Sequence, residues 1–215
     1  NNSNVSAKDN AVIFKEKVII FVQRSFSGDF YIQSGISLIG NFAFSNMKNI
    51  QSIISNFPTL KIISPYSFNK CENLKIVSIK TKKLEVKNFG FFELRNLISV
   101  ELDCEELIIN DNCFKNCTKL SKVLFNNVVK ASFSKEAFNG CINLSHFVIT
   151  GATSIALKDD TFCGANNLKY IELQSKSFTF SSPFMHCSSL RFLFLQTEQD
   201  ILLTPTTFRY CHFLS

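Results

Sequence analysis

Apolar residues return along this chain with a period of 22 to 24 residues, and each period combines two spacings. A unit opens with Phe, followed by an apolar residue at +3 and an aliphatic residue at +6, the spacing of one face of a helical turn. Residues at +9 and +11 are again apolar, which is the alternation of a β-strand. Units begin at Phe44, Phe68, Phe91, Phe114, Phe138, Phe162, Phe184 and Phe208.

A unit of one strand and one turn cannot bury its own apolar side, so neighbouring units must stack and bury it between them. The pattern therefore predicts an α/β repeat solenoid with a parallel β-sheet on one side and short helical turns. The repeated Phe should form a ladder through the interior. This accounts for the composition, which has 24 Phe and no Trp.

The +3 position holds five of the eight cysteines. Met47, Leu94 and Ala165 occupy the same position in other units, which indicates a need for packing and not for sulfur chemistry. Reduced, buried thiols are the main expectation, and one disulfide through Cys104 or Cys113, which lie outside the periodic positions, is the alternative. The five periodic cysteines are Cys71, Cys117, Cys141, Cys187 and Cys211.

The chain divides into an irregular beginning and a periodic remainder. Residues 1–35 start with a polar stretch that we expect to be frayed, and their later apolar runs predict an N-terminal cap or a degenerate repeat. Residues 36–215 hold the repeats, of which the last is truncated in mid-unit. No linker interrupts them, so we expect one domain.

The repeat resembles the leucine-rich repeat family, through segments such as LKIVSI at 74 and LRFLFL at 190. It is most similar to the BspA-like subclass, through IGNFAF at 39 and EAFNGCINLSHFVI at 136. The resemblance implies a right-handed superhelix with the sheet on its concave face. Because such proteins are largely bacterial and protozoan surface proteins, it also implies adhesion or host-protein binding. The bias toward Asn, Lys, Ile and Phe is typical of an AT-rich protist genome.

The outward face of the predicted sheet is where a solenoid offers a broad surface. Positions +8 and +10 point outward, and toward the C-terminal end they become aromatic and apolar. Aromatic clusters with a polar rim are favoured in protein interfaces. A patch used for packing within a larger protein, or one without a role, would have the same composition. The candidate partner-binding residues are Leu124, His146, Val148, Tyr170, Glu172, Phe192 and Phe194.

Little in the sequence indicates chemistry. The three histidines have no partner at metal-ligand spacing, no Gly-rich loop fits a phosphate, and no nucleophile has a base nearby. We therefore expect no catalytic residue, no metal and no cofactor. The net charge of +6 is scattered along the chain, so a nucleic-acid partner is not expected, and no apolar run is long enough for a membrane span.

These observations support a non-catalytic protein-binding or adhesion module at a cell surface or outside the cell. Its partner would be a protein, with host and extracellular-matrix proteins as candidates. The alternative is an intracellular scaffold of the same fold in the cytoplasm, which the reduced cysteines would suit. The oligomeric state is not indicated by the sequence.

Overall fold

The computed structural model describes residues 5–8 and 10–214, which form a β-solenoid of about eight coils. The strands are β1 (Val5–Lys8), β2 (Ala11–Phe14), β3 (Val18–Val22), β4 (Gly28–Tyr31), β5 (Leu38–Ile39), β6 (Ile50–Ser55), β7 (Ile62–Ile63), β8 (Ile76–Lys80), β9 (Lys83–Val86), β10 (Ser99–Asp103), β11 (Glu106–Ile109), β12 (Lys122–Asn126), β13 (Lys130–Phe133), β14 (His146–Leu157), β15 (Tyr170–Phe180) and β16 (Phe192–Gln196).

Most coils contribute two strands, and the strands stack into two parallel columns. The first column carries the +9 and +11 residues and contains the five-stranded sheet of order β12-β10-β8-β6-β4. Its parallel pairing confirms the sequence prediction. The second column runs through β5, β7, β9, β11 and β13 within an eleven-stranded sheet. The sequence did not predict this column, because its strands are only two to four residues long.

The two columns merge toward the C-terminal end. Strands β14 and β15 are 12 and 11 residues long, so each spans both columns without a break. Their first halves pair in the first column, where β16 follows, and their second halves pair in the second column. A register shift between Ile149 and Ala152 marks the corner.

The N-terminal strands close the eleven-stranded sheet at one end. β1, β2 and β3 pair antiparallel, and β3 then pairs in parallel with β5. The assignment of residues 1–35 as a cap or a degenerate repeat stays a prediction. The frayed start falls partly on residues 1–4 and 9, which lie outside the described residues.

The predicted phenylalanine ladder is confirmed and forms the centre of the core. Phe114, for example, stacks on Phe91 at 5.0 Å and on Phe138 at 5.1 Å between ring centroids. Parallel rings at this distance add to the apolar burial that holds neighbouring coils together. The rings from Phe44 to Phe184 are fully buried, and Phe208 in the last coil is partly buried.

The predicted short helical turns are wrong, because the part of the chain that the structure describes contains no helix. After Phe68 the backbone instead makes successive tight turns, in which Cys71 N donates to Phe68 O. In such turns, every second N–H group donates to a carbonyl oxygen of the neighbouring coil, as when Phe44 N donates to Ser67 O. In addition, the residue two after each Phe and, for the units from Phe44 to Phe162, the residue two before it adopt the left-handed conformation, which a helix cannot contain. Tyr66 (φ 55°) and Lys70 (φ 57°) are examples.

The cysteines at +3 do more than fill space. Each donates its thiol to the carbonyl oxygen of the Phe in the preceding coil, as in Cys117 Sγ to Phe91 O (3.1 Å) and Cys141 Sγ to Phe114 O (3.1 Å). A weak donor that is also small and apolar suits this buried position. The sequence-based view that the position requires packing alone therefore missed a hydrogen bond.

Replacing Gly140 by alanine is expected to lower the free energy of unfolding by about 1–2 kcal/mol or more. Gly140 has φ 71°, and a Cβ there would lie 2.5 Å from Asn116 Oδ1. The matched control is Lys70→Gly at the equivalent position, which removes a side chain from the same backbone conformation and should cost less than about 1 kcal/mol. Urea unfolding of both variants checks this, and equal losses would contradict it.

Candidate functional site

The strand register brings six of the seven predicted binding residues into one patch. His146, Tyr170 and Phe192 are directly opposite one another on β14, β15 and β16, and form one row. Val148, Glu172 and Phe194 form the next row, two residues further along the same strands. We call these two rows the aromatic patch. Its outer rings are well exposed, with 51% of Phe192 and 53% of Phe194 accessible to solvent.

Ring contacts hold the aromatic patch together. The ring centroid of Tyr170 lies 5.6 Å from that of His146 and 5.5 Å from that of Phe194, with tilted planes in both cases. Tyr170 therefore connects the two rows. Such pre-arranged aromatic side chains lose little conformational entropy when a partner binds them.

A hydrogen bond fixes the hydroxyl group of the central tyrosine. Tyr170 Oη donates to Glu172 Oε2 at 2.7 Å, and this bond raises the pKa of Tyr170 because the neutral phenol is the donor. The carboxylate of Glu172 retains further acceptor capacity toward a partner. His146 Nδ1 lies 2.9 Å from Ser145 Oγ at the rim. The patch thus combines an apolar surface with oriented polar groups.

Leu124, the seventh predicted residue, lies on β12 and is separated from the aromatic patch by a groove. The groove runs between β12 and the first half of β14 and has a volume of about 400 Å³. Leu124 and Val148 face each other across it as equivalent +10 residues, and each is 37% exposed. The groove is lined by Ser121, Lys122, Val123, Leu124, Phe125, Asn126, His146, Val148 and Thr150.

Sequence reasoning missed two features of this face. The first is the groove, which depends on whether β12 and β14 pair. The apolar period is the same on both sides of it, so the sequence does not indicate it. The second is the presence of further exposed apolar side chains in the first column, at Tyr31 on β4, its N-terminal edge strand, and at Ile76 on β8. Ile76 stands in the outward +8 position of the repeat, but it was not among the candidate binding residues.

Other kinds of site find no support among the described residues. Within residues 5–8 and 10–214, no group of three or more His, Cys, Asp or Glu side chains is placed to hold a metal ion. The same residues include no helix long and apolar enough to cross a membrane. All eight cysteines are free thiols, and Cys113, a candidate for a bridge, donates to Val86 O and Lys87 O.

Comparison with solved structures supports the fold. A leucine-rich repeat protein of T. pallidum matches with a TM-score of 0.61 and 15% identity, over 86% of each chain. A leucine-rich cell surface protein of Faecalibacterium prausnitzii matches with a TM-score of 0.49 and 18% identity, over 92% of this chain and 56% of that one. Comparison with curated protein sequences finds no match.

Comparison with protein families agrees with the repeat described above. The profile of the BspA type leucine-rich repeat region matches residues 19–131 and 85–215 in six copies. These ranges include every Phe-led coil. Proteins built from such repeats are generally non-enzymatic scaffolds for protein interaction. On this evidence, the chain belongs to the BspA-type leucine-rich repeat family.

Proposed function

We propose that this chain is a non-catalytic adhesion module at a cell surface and that it binds a protein partner through the aromatic patch. The observation that carries the proposal is the cluster of the exposed Phe192 and Phe194 with the half-buried Tyr170 on one face of the first strand column. Membership of the BspA-type family, whose members are largely surface proteins, supports a location at the cell surface. Host and extracellular-matrix proteins are the partner class that we propose, and a protist source remains a hypothesis.

The composition of the patch favours a protein over other ligands. Aromatic side chains are enriched in the centres of protein interfaces, where they carry most of the binding free energy. Glu172 and His146 supply polar groups at the margin. A second cavity of about 380 Å³ lies beside Tyr170 and Phe194 and offers a place for a partner side chain.

Replacing Phe192 and Phe194 by serine is expected to weaken binding to a protein partner at least tenfold, because two exposed aromatic contacts are lost. Surface plasmon resonance against a panel of purified extracellular-matrix proteins provides the measurement. The matched control is Ile76→Ser, which removes a side chain of similar exposure (48%) from β8 of the same column, outside the aromatic patch. Unchanged affinity of the double variant for every bound protein would refute the site.

An intracellular scaffold is the second candidate function. The observation that favours it is the set of eight free thiols, since cysteines in oxidising compartments commonly form disulfides. The first 30 or so codons of the complete gene separate the two candidates. A secretory signal there would exclude the scaffold, and the binding surface would remain the same.

A further inference from the structure

The hydrogen-bonded pairing between the strands of the first column is interrupted at one place. β12 is the edge strand of the five-stranded sheet, whereas β14 belongs to the eleven-stranded sheet, so no ladder joins them within the described residues. The second column has no such interruption, because β13 pairs with β14 from Lys130–Ser154 to Phe133–Leu157. The groove of about 400 Å³ is therefore a slit in one column, held at its back by the other.

The main chain of β12 presents unused groups to this slit. Lys122 N donates to Ile98 O, and Asn126 O accepts from Cys104 N, so these two residues direct their N–H and C=O groups toward β10. Successive residues of a strand alternate in direction. Val123 and Phe125 therefore direct their N–H and C=O groups away from β10 and into the groove.

The facing strand presents the complementary set. Tyr170 N donates to Ser145 O, which fixes the residues of β14 that bond to β15. By the same alternation, His146 and Val148 direct their N–H and C=O groups into the groove from the opposite side. Two strand edges, each with unpaired N–H and C=O groups at every second residue, therefore face each other. The same arrangement would remain if one strand were removed from a continuous sheet.

We propose that the groove between β12 and β14 binds an extended segment of the protein partner as an added β-strand. Main-chain hydrogen bonds would supply the affinity, as in other cases of strand addition. Leu124 and Val148 would contact its outward side chains, and Phe125 its inward ones. The lining residues include Lys122 and His146 but no carboxylate, so the segment is uncharged or acidic. This inference rests on the proposed function and defines the kind of partner.

Binding of a full strand requires the groove to open further. Cα atoms of β12 and β14 still approach within 8 Å, whereas a strand inserted between them needs about 9.6 Å, twice the spacing of paired strands. The continuous second column permits this movement, because the coils can separate on one side and stay paired on the other. The segment would therefore join the two sheets and widen the slit.

A matched pair of proline variants tests whether the slit exists in solution. Val148 and Leu124 are equivalent residues of equal exposure, but the N–H of Val148 faces the groove and that of Leu124 faces the β10 ladder. Proline removes one N–H in each case. We expect Leu124→Pro to lower the melting temperature by several degrees, and Val148→Pro to lower it by less than half as much. Equal losses would overturn the proposal.

Amide hydrogen exchange followed by NMR tests the binding itself. In the free protein, the amides of Val123 and Phe125 should exchange much faster than that of Val100, the paired neighbour of Val123. A blocked heptapeptide of alternating valine and threonine serves as the probe. At saturation it should slow exchange at Val123 and Phe125 at least tenfold, and Val148→Pro should weaken its binding about tenfold. The same peptide with a central proline is the control.

Three results would overturn the inference. Val123 could be as protected as Val100 in the free protein, the peptide could leave exchange unchanged, or protection could appear only with rising protein concentration, which would indicate pairing of two copies. Phe192→Ser with Phe194→Ser should leave binding of the heptapeptide intact. If that variant loses binding to matrix proteins and the exchange test fails, only the groove is refuted. If the exchange test succeeds and the variant keeps its binding to matrix proteins, only the aromatic patch is refuted.

Discussion

Replacing Phe114 by alanine is expected to lower the free energy of unfolding by about 3–5 kcal/mol. The ring is fully buried and stacks on both neighbouring rings of the ladder, so its removal leaves a cavity between three coils. Strand pairing in both columns ties this coil to the coil of Phe91, and pairing in the second column ties it to the coil of Phe138, so the strands can collapse only partly into that space. Urea or thermal unfolding followed by circular dichroism measures the loss.

The position of Phe114 in the phenylalanine ladder, and not its residue type, should determine this loss of stability. Phe57→Ala is the matched control, because the Phe57 ring is 42% exposed and makes no ladder contact. We expect it to change the unfolding free energy by about 1 kcal/mol or less. If Phe114→Ala cost no more than Phe57→Ala, the phenylalanine ladder would not be the main support of the fold.

The second large effect is a loss of stability at alkaline pH. Burial raises the pKa of the thiols of Cys71, Cys104 and Cys117 to about 12, from an ordinary value of 9.0. Below pH 9 these thiols are protonated in both the folded and the unfolded chain, so they give no pH dependence. Between pH 9 and 12 the unfolded chain loses the protons and the folded chain keeps them, which favours unfolding.

The expected slope from these three thiols is about half of its full value at pH 9 and approaches about 1.4 kcal/mol per pH unit for each thiol near pH 10, hence roughly 4 kcal/mol per pH unit for three. Urea unfolding in the presence of reductant at pH 8, 9 and 10 measures it. A variant with alanine at Cys71, Cys104 and Cys117 is the control, since its lysines and tyrosines titrate as in the parent. We expect it to be less stable at pH 8 and to decline less steeply by the contribution of the three thiols, because Cys113, Cys141 and Cys187, whose pKa values burial also raises, still titrate. Parallel declines in the two proteins would contradict the assignment.

The sequence predicted the core because each core position returns in every coil. A residue such as Leu74 or Val77 has the same kind of neighbours in the adjacent coils as its counterparts, so the apolar character of its position recurs eight times for Leu74 and seven times for Val77. The row of His146, Tyr170 and Phe192 could be predicted for the same reason. Once the strands are parallel and in register, equal positions in the repeat must lie side by side.

Features that depend on backbone direction could not be predicted. Tyr66 and Lys70 adopt positive φ without being glycine, so their residue types gave no sign that the turn is not helical. The thiol bond from Cys117 to Phe91 O is equally hidden, since Leu and Ala also occur at that position. The groove beside Leu124 depends on a single missing ladder, and the residues on either side of it keep the period.

If the chain is held at a cell surface as proposed, the interrupted column has a mechanical consequence. Tension along the solenoid axis loads the hydrogen bonds between coils one interface at a time. At β12 and β14 only the second column and the turns share that load, whereas the interfaces from β4 to β13 are paired in both columns. At the C-terminal interface of β15 and β16, only the first column is paired within the described residues. Among the interior interfaces, the solenoid would therefore part first between β12 and β14, into two blocks that divide the eleven-stranded sheet between β13 and β14. A partner strand bound in the slit would pair with both blocks. A bound partner would therefore raise the force that is needed to separate them.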